Sequence, residues 1–220
     1  MNEVVAGDRR PIKSRDTALA RRVASWLVTR RVSPDAISLA GMVAGIAAGA
    51  ALAATTNWPA GERWLWAVAA VAVQLRLLCN LFDGMVAIES GRVSPVGELY
   101  NDLPDRVSDT AVLVGFGCAA GCPWLGFTAA LLAMLTAYVR TLGKALGTGS
   151  DFGGPMAKPQ RMFVVTVVAL YMALAPGVWR PVVAGYGLPA MALGVIAVGA
   201  AWTVGRRLRN VARQLRGEAR

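Results

Sequence analysis

Histidine is absent from the 220 residues, and that absence removes Ser-His-Asp and Cys-His nucleophilic triads, histidine-ligated zinc and the zinc-protease helix signature together. Charge is scarce as well. Charged residues make up 16% of the chain against 55% hydrophobic, with a mean hydropathy of +0.48, well short of the roughly one quarter charged that soluble domains carry. The three cysteines, Cys79, Cys118 and Cys122, form no C-x-x-C pair, so a redox motif is excluded and they read as small apolar side chains. Acids are the minority sign, 13 Asp plus Glu against 23 Lys plus Arg, for a net charge of +10. Whatever chemistry the chain performs must run on carboxylates, amides, hydroxyls and cations.

What it does have is long uncharged runs. Residues 36–61 carry no charge, and at about 1.5 Å per residue they outreach a hydrocarbon core of roughly 30 Å. Residues 64–82 are interrupted only by Arg76, residues 110–139 divide at Gly121, Cys122 and Pro123, and residues 162–179 and 181–205 follow. The reading is an all-α polytopic membrane protein with six transmembrane helices. Upstream, Leu19, Val23, Trp26 and Leu27 recur at helical spacing with Arg21, Arg22 and Arg30 elsewhere, which predicts an amphipathic interfacial helix at the N-terminal side. Three segments result: a basic arm with that helix over 1–35, a membrane domain over 36–206, and a basic tail over 207–220. No secretory signal is apparent, because the first apolar run is far longer than a signal core.

Orientation follows from the cations, since Lys and Arg in short flanking segments stay on the cytoplasmic side. Eight precede the first span (Arg9, Arg10, Lys13, Arg15, Arg21, Arg22, Arg30, Arg31) and six follow the last. Arg92, Arg106, Arg140, Lys144, Lys158 and Arg161 join the same side, while Arg63 and Arg180 stand alone opposite. Both termini are expected in the cytoplasm, and the protein in the cell (inner) membrane.

Six of the 13 acids, Asp83, Glu89, Glu98, Asp102, Asp105 and Asp109, fall between residues 83 and 109, at the cytoplasmic junction of spans two and three. With about 100° per residue, Arg76, Asn80, Asp83, Gly84 and Ala87 share one face of the second span. Glu98, Asn101, Asp102, Asp105 and Asp109 share one face of the third. Ionisable groups at membrane depth are costly and face functional cavities, and oxygen ligands at i, i+3 and i+4 on two facing helices suit hard divalent cations. Gly84 and Gly97 let a phosphate approach the backbone.

The segment Asn80-x2-Asp83-Gly84-x2-Ala87-x9-Gly97-x3-Asn101-x3-Asp105 resembles the signature of the CDP-alcohol phosphotransferases, D-x2-D-G-x2-A-R-x8-G-x3-D-x3-D, with the spacing kept throughout. Ser33-Pro34-Asp35-Ala36-Ile37-Ser38 is similar to the family's Thr/Ser-Pro-Asn-x-Ile-Thr/Ser lead-in to the first span. The resemblance covers roughly residues 15–206. It implies transfer of a phosphoalcohol group from a CDP-linked donor such as CDP-diacylglycerol to an acceptor hydroxyl with release of CMP, two Mg²⁺ or Mn²⁺ ions bridging the pyrophosphate, and a homodimer. It also implies that Asp83 ligates metal, that Gly84, Ala87 and Gly97 line the nucleotide pocket, and that Asp105 is ligand and general base.

The departures are specific. The first and third aspartates of the signature are Asn80 and Asn101, and its arginine is Ile88. Asn80 and Asn101 can still offer amide oxygens to a metal, Asp102 can restore charge beside them, and Arg76 or Arg92 can stand in for the arginine. Arg140, Lys144, Lys158 and Arg161 form a second basic cluster, which reads either as ordinary positive-inside cations or, with Lys158 and Arg161 at a helix start that favours an anion, as an acceptor-phosphate pocket. The alternative is a catalytically impaired relative that binds lipid or nucleotide in the membrane. A transporter is disfavoured, because the carboxylates gather at one membrane face rather than the midplane.

Overall fold

The computed structural model describes residues 17–91 and 96–217, with the side chain of Glu98 left aside. Residues 1–16 of the basic N-terminal arm, Arg92 and Arg220 lie outside the described residues. Among those described, seven α-helices account for nearly all of the structure: α1 (Ala18–Thr29), α2 (Pro34–Ala54), α3 (Glu62–Glu89), α4 (Gly97–Ala119), α5 (Pro123–Ala145), α6 (Lys158–Leu174) and α7 (Leu188–Leu215).

Local chemistry sets most of the boundaries. Thr17 caps α1 by accepting from the Ala20 N–H. Ser33 caps α2 by accepting from the Ala36 N–H, with Pro34 at the first helical position, where its missing donor costs nothing. The lead-in motif is therefore a helix start. Between α4 and α5, Gly121 takes a left-handed conformation at φ 69° and Pro123 opens the next helix, as the sequence predicts.

The helices close into a ring in the order α2, α3, α6, α7, α5, α4 and back to α2, with α1 lying against α3. α2 meets α4 through glycine. A Cβ built on Gly45 would stand 2.2 Å from Ser108 Cβ, and one on Gly115 2.1 Å from the Gly49 carbonyl oxygen. Only glycine permits that approach, the small-residue contact by which helices associate in lipid. The core holds Leu52, Trp66, Val73, Leu113, Phe116, Met162, Leu193 and Ile196, with Trp66 and Phe116 edge to face at 6.0 Å. Val43, Val68, Val71, Leu131, Val195 and Val198 point outward and are exposed, the distribution of a bundle whose surroundings are apolar.

The sequence predicts six spans. Among the described residues four helices are long and apolar enough to cross a membrane: Pro34–Ala54, Pro59–Glu89, Pro123–Ala145 and Leu188–Leu215. α6 has only 17 residues, and α4 opens with a polar stretch from Asn101 to Asp109. Two expected boundaries also move. The run 181–205 begins instead as a short hairpin pairing Val182–Val183 with Tyr186–Gly187, and the helix starts at Leu188. α7 then continues unbroken past residue 206, so most of the basic tail is helix.

Candidate active site

α3 ends, α4 begins, α5 ends and α6 begins at the same end of the ring, so the sequence-predicted residues converge from four helices. Asp83 is buried. Its Oδ2 accepts from the Ser38 hydroxyl at 2.7 Å and its Oδ1 from the Gly84 N–H at 2.6 Å. Ser38 thus gives the last residue of the lead-in motif a role that the sequence did not disclose: it fixes the rotamer of a carboxylate on the neighbouring helix.

Asp105 stands in a ring of cations. Its Oδ2 contacts Lys158 Nζ and lies 3.7 Å from Arg106, and its Oδ1 lies 3.4 Å from Arg76 Nη2. Asp83 lies within electrostatic reach of Asp105 and Lys158. Asn80 stands on α3 three positions before Asp83. Its Nδ2 is buried without an acceptor among the described residues, and a carboxamide can present either its oxygen or its N–H₂ from the same position.

One turn deeper lies a layer that spacing alone had not resolved. Arg76 is fully buried and bonds Asp109, whose other oxygen receives Arg161 Nη2 at 3.4 Å. Arg161 also donates to the Met156 carbonyl at 2.8 Å. Among the described residues Arg76 Nε and Nη1 and Arg161 Nε have no acceptor. A buried carboxylate bridging two guanidinium groups holds only while all three are present, so this layer positions the Asp105 shell above it.

Other expected members sit apart. Asn101 is exposed at the rim. Asp102 turns to Arg140 at 2.7 Å and Arg106 at 3.5 Å, away from Asp83, because one position along a helix swings a side chain by about 100°. Ile88, at the signature arginine's position, points outward and is 59% exposed. Gly84 and Ala87 are half-buried on the site's α3 wall, and Gly97 is half-buried where α4 begins. Lys158 and Arg161 do not form an open phosphate pocket: the first engages Asp105 and the second is sealed against Asp109. Arg140, besides pairing with Asp102, lies over the Phe152 ring at 5.5 Å, and the exposed Arg206 lies beside Gly153.

Two carboxylates and one amide can hold a hard divalent cation whose remaining positions go to water and phosphate oxygens, the usual manner for Mg²⁺. Among the described residues no three acidic, cysteine or histidine side chains converge on one point.

Known proteins resemble this chain in sequence and in fold. Over 163 residues the chain is 29% identical to the phosphatidylinositol phosphate synthase of Mycolicibacterium smegmatis, covering 69% of this chain and 67% of that one. It is also 29% identical over 203 residues to the enzyme of the same name from Streptomyces avermitilis, covering 87% and 77%. The fold matches the crystal structure of Mycobacterium tuberculosis phosphatidylinositol phosphate synthase with CDP-DAG bound at a TM-score of 0.70 and 23% identity, across 89% of this chain and 94% of that one. The same enzyme in complex with manganese and citrate matches at 0.68 and 24% identity, covering 86% and 87%. The sequence model for CDP-alcohol phosphatidyltransferases spans residues 31–204, and the chain belongs to that family, whose members build phospholipid by moving a phosphatidyl group from a CDP-linked donor to an alcohol with release of CMP.

Proposed function

We propose that the acceptor is a phosphorylated polyol and that transfer takes place at the cytoplasmic end of a six-span protein in the cell membrane. The observation that carries this is the excess of fixed cations at the site: Arg76, Arg106, Arg140, Lys158 and Arg161 surround Asp102, Asp105 and Asp109. Such a field favours two anionic reactants meeting there. The donor's pyrophosphate faces Asp83, Asp105 and Lys158, and the acceptor's phosphate reaches Arg140 and Arg206. Relatives named for phosphatidylinositol phosphate favour inositol phosphate over glycerol 3-phosphate or serine.

In this reading the acceptor oxygen attacks the phosphorus that carries the diacylglycerol, the bond from that phosphorus to the oxygen of CMP breaks, and Asp105 takes the hydroxyl proton. Asp83, Asp105 and Asn80 hold a divalent cation, Mg²⁺ or Mn²⁺, which when bound neutralises charge on the pyrophosphate. Ser38 and Gly84 keep Asp83 oriented, and the Arg76–Asp109–Arg161 layer keeps Asp105 at the right depth. α4 and α6 complete the six spans, the 20 to 2 bias of cations puts the site in the cytoplasm, and a homodimer belongs to the same reading.

The test is CMP release by the protein in lipid, with CDP-diacylglycerol, Mg²⁺ or Mn²⁺, and inositol phosphate, glycerol 3-phosphate and serine in turn. Release that needs the metal, one phosphorylated acceptor and Asp105 is the expected result. CDP-diacylglycerol binding without release under any acceptor would favour the impaired alternative, with Asn80 and Asn101 as its cause.

A further inference from the structure

We infer that this chain works with one divalent cation where its family signature provides for two, and that the Lys158 ammonium supplies the charge of the missing ion. The inference rests on the transferase reading above and concerns how that same site is balanced.

The first observation is charge. Four carboxylates at the signature positions balance two divalent ions. Here the positions read Asn80, Asp83, Asn101 and Asp105, so two negative charges remain, enough for one ion. Asn101 is exposed at the rim, and Asp102, the nearest carboxylate that could replace it, is committed to Arg140 at 2.7 Å. Asp109 is held by Arg76 and Arg161, so among the described residues neither lost charge is restored by a neighbour.

The second is where the protein's own cation sits. Lys158 Nζ lies against Asp105 Oδ2, with Arg106 at 3.7 Å from the same oxygen and Arg76 at 3.4 Å from the other. A second ion sharing Asp105 would meet three fixed positive side chains within one contact shell. An ammonium is a compact point charge with three rotatable donors. It can lie on a carboxylate and on a phosphate oxygen at once, as a bridging metal does, although it cannot act as a strong Lewis acid. Lys158 is placed by backbone rather than by chance: Ala157 and Lys158 start α6, and the preceding Gly154, at φ 130°, is pressed onto Thr203 so closely that a Cβ would stand 2.3 Å from Thr203 Cγ2.

The third is Asn80. Its buried Nδ2, unpartnered among the described residues, places a donor where the signature has an acid. The amide can give its oxygen to the one ion while its N–H donates to a phosphate oxygen, and it brings no negative charge for a second ion. Together the three changes convert half of a cation cage into an anion cradle.

Manganese serves as the probe. In lipid nanodiscs with CDP-diacylglycerol present, electron paramagnetic resonance of titrated Mn²⁺ is expected to saturate at one ion per chain with the six-line spectrum of an isolated ion. Two ions per chain, or the broadened spectrum of a coupled pair, would overturn the inference while leaving the transferase reading intact. Saturation at zero would overturn both the inference and the metal dependence of the reaction. Lys158→Gln is expected to tighten Mn²⁺ by severalfold, since the competing cation on Asp105 is gone, and to weaken CDP-diacylglycerol by about tenfold. Unchanged Mn²⁺ affinity in that variant would make Lys158 a packing residue only. The triple variant Asn80→Asp, Asn101→Asp, Lys158→Gln is expected to take up a second Mn²⁺; should it fail to fold, the stoichiometry of the unaltered chain decides alone.

Discussion

At the end of the bundle away from the site, Glu62 accepts the Trp66 indole at 3.0 Å and both oxygens receive Arg180 Nη1, at 2.8 and 3.0 Å. Arg180 also donates to the Met172 carbonyl at 2.8 Å, tying α3 to the stretch after α6. One acid and one base nearly complete each other there, at side chains 20–30% exposed, with Arg180 Nε the one nitrogen left without an acceptor among the described residues. At the opposite end the same groups are buried and unequal in number, and four of their nitrogens, on Arg76, Arg161 and Asn80, find no acceptor. The first arrangement is a clasp. The second has donors to spare in a place where an unmatched donor is expensive, which is the electrostatic form of a site awaiting an anion.

Four substitutions break or sharpen that contrast. Asp105→Asn is expected to have the largest effect, a fall in CMP release on the order of 100-fold or more, because it removes one of two remaining signature carboxylates and the acceptor of the proton. Wild-type turnover would take Asp105 out of the reaction. Asp109→Asn strips the bridge between two buried guanidinium groups and is expected to cost about 3 kcal/mol, seen as a lower midpoint of thermal unfolding in detergent; an unchanged midpoint would mean that the deep layer carries no structural load. Ser38→Ala leaves one Asp83 oxygen short of a donor, so the half-saturating Mn²⁺ concentration should shift by about tenfold, equal to roughly 1.4 kcal/mol, with stability nearly intact. Glu62→Gln, at the clasp, is expected to cost below about 1 kcal/mol and to leave CMP release alone. A fall in release there would show that the two ends are coupled through α3.

Much of this was legible in the sequence, and the parts that were not share a cause. Periodicity placed Asp83 and Asp105 on facing helices because both obey the spacing of a single element, and Gly121 and Pro123 announced their own turn. The partner of Asp102, offered as a substitute ligand, was not legible because helical spacing gives a face and not a partner. The direction of Asp102 is set by Arg140, which lies 38 residues further on and on another helix. Lys158 and Arg161 read as a surface pocket for the same reason, since the carboxylates that claim them belong to α4. Arg76 was the missed clue: a lone arginine inside an apolar span must find acid somewhere in the bundle, and Asp109 is that acid. The short α6 followed from Pro176, which holds Ala175 extended and stops the helix at Leu174, and the late start of α7 from Pro181 and the hairpin after it; both interrupt an apolar run without adding any charge.

Arg207 lies just past the last apolar stretch, where hydropathy alone would place the edge of the working unit. It is buried, and its guanidinium donates to the Gly153 carbonyl at 3.0 Å and to the Thr136 carbonyl at 2.6 Å, while Asn210 holds Asp151 at 2.8 Å. The loop that delivers Lys158 is therefore moored to the end of α7. A protein trimmed at residue 206 to remove its basic extension would keep every candidate catalytic side chain and lose the anchor that aims one of them. For anyone dissecting or fusing this enzyme, the safe cutting point lies beyond Leu215.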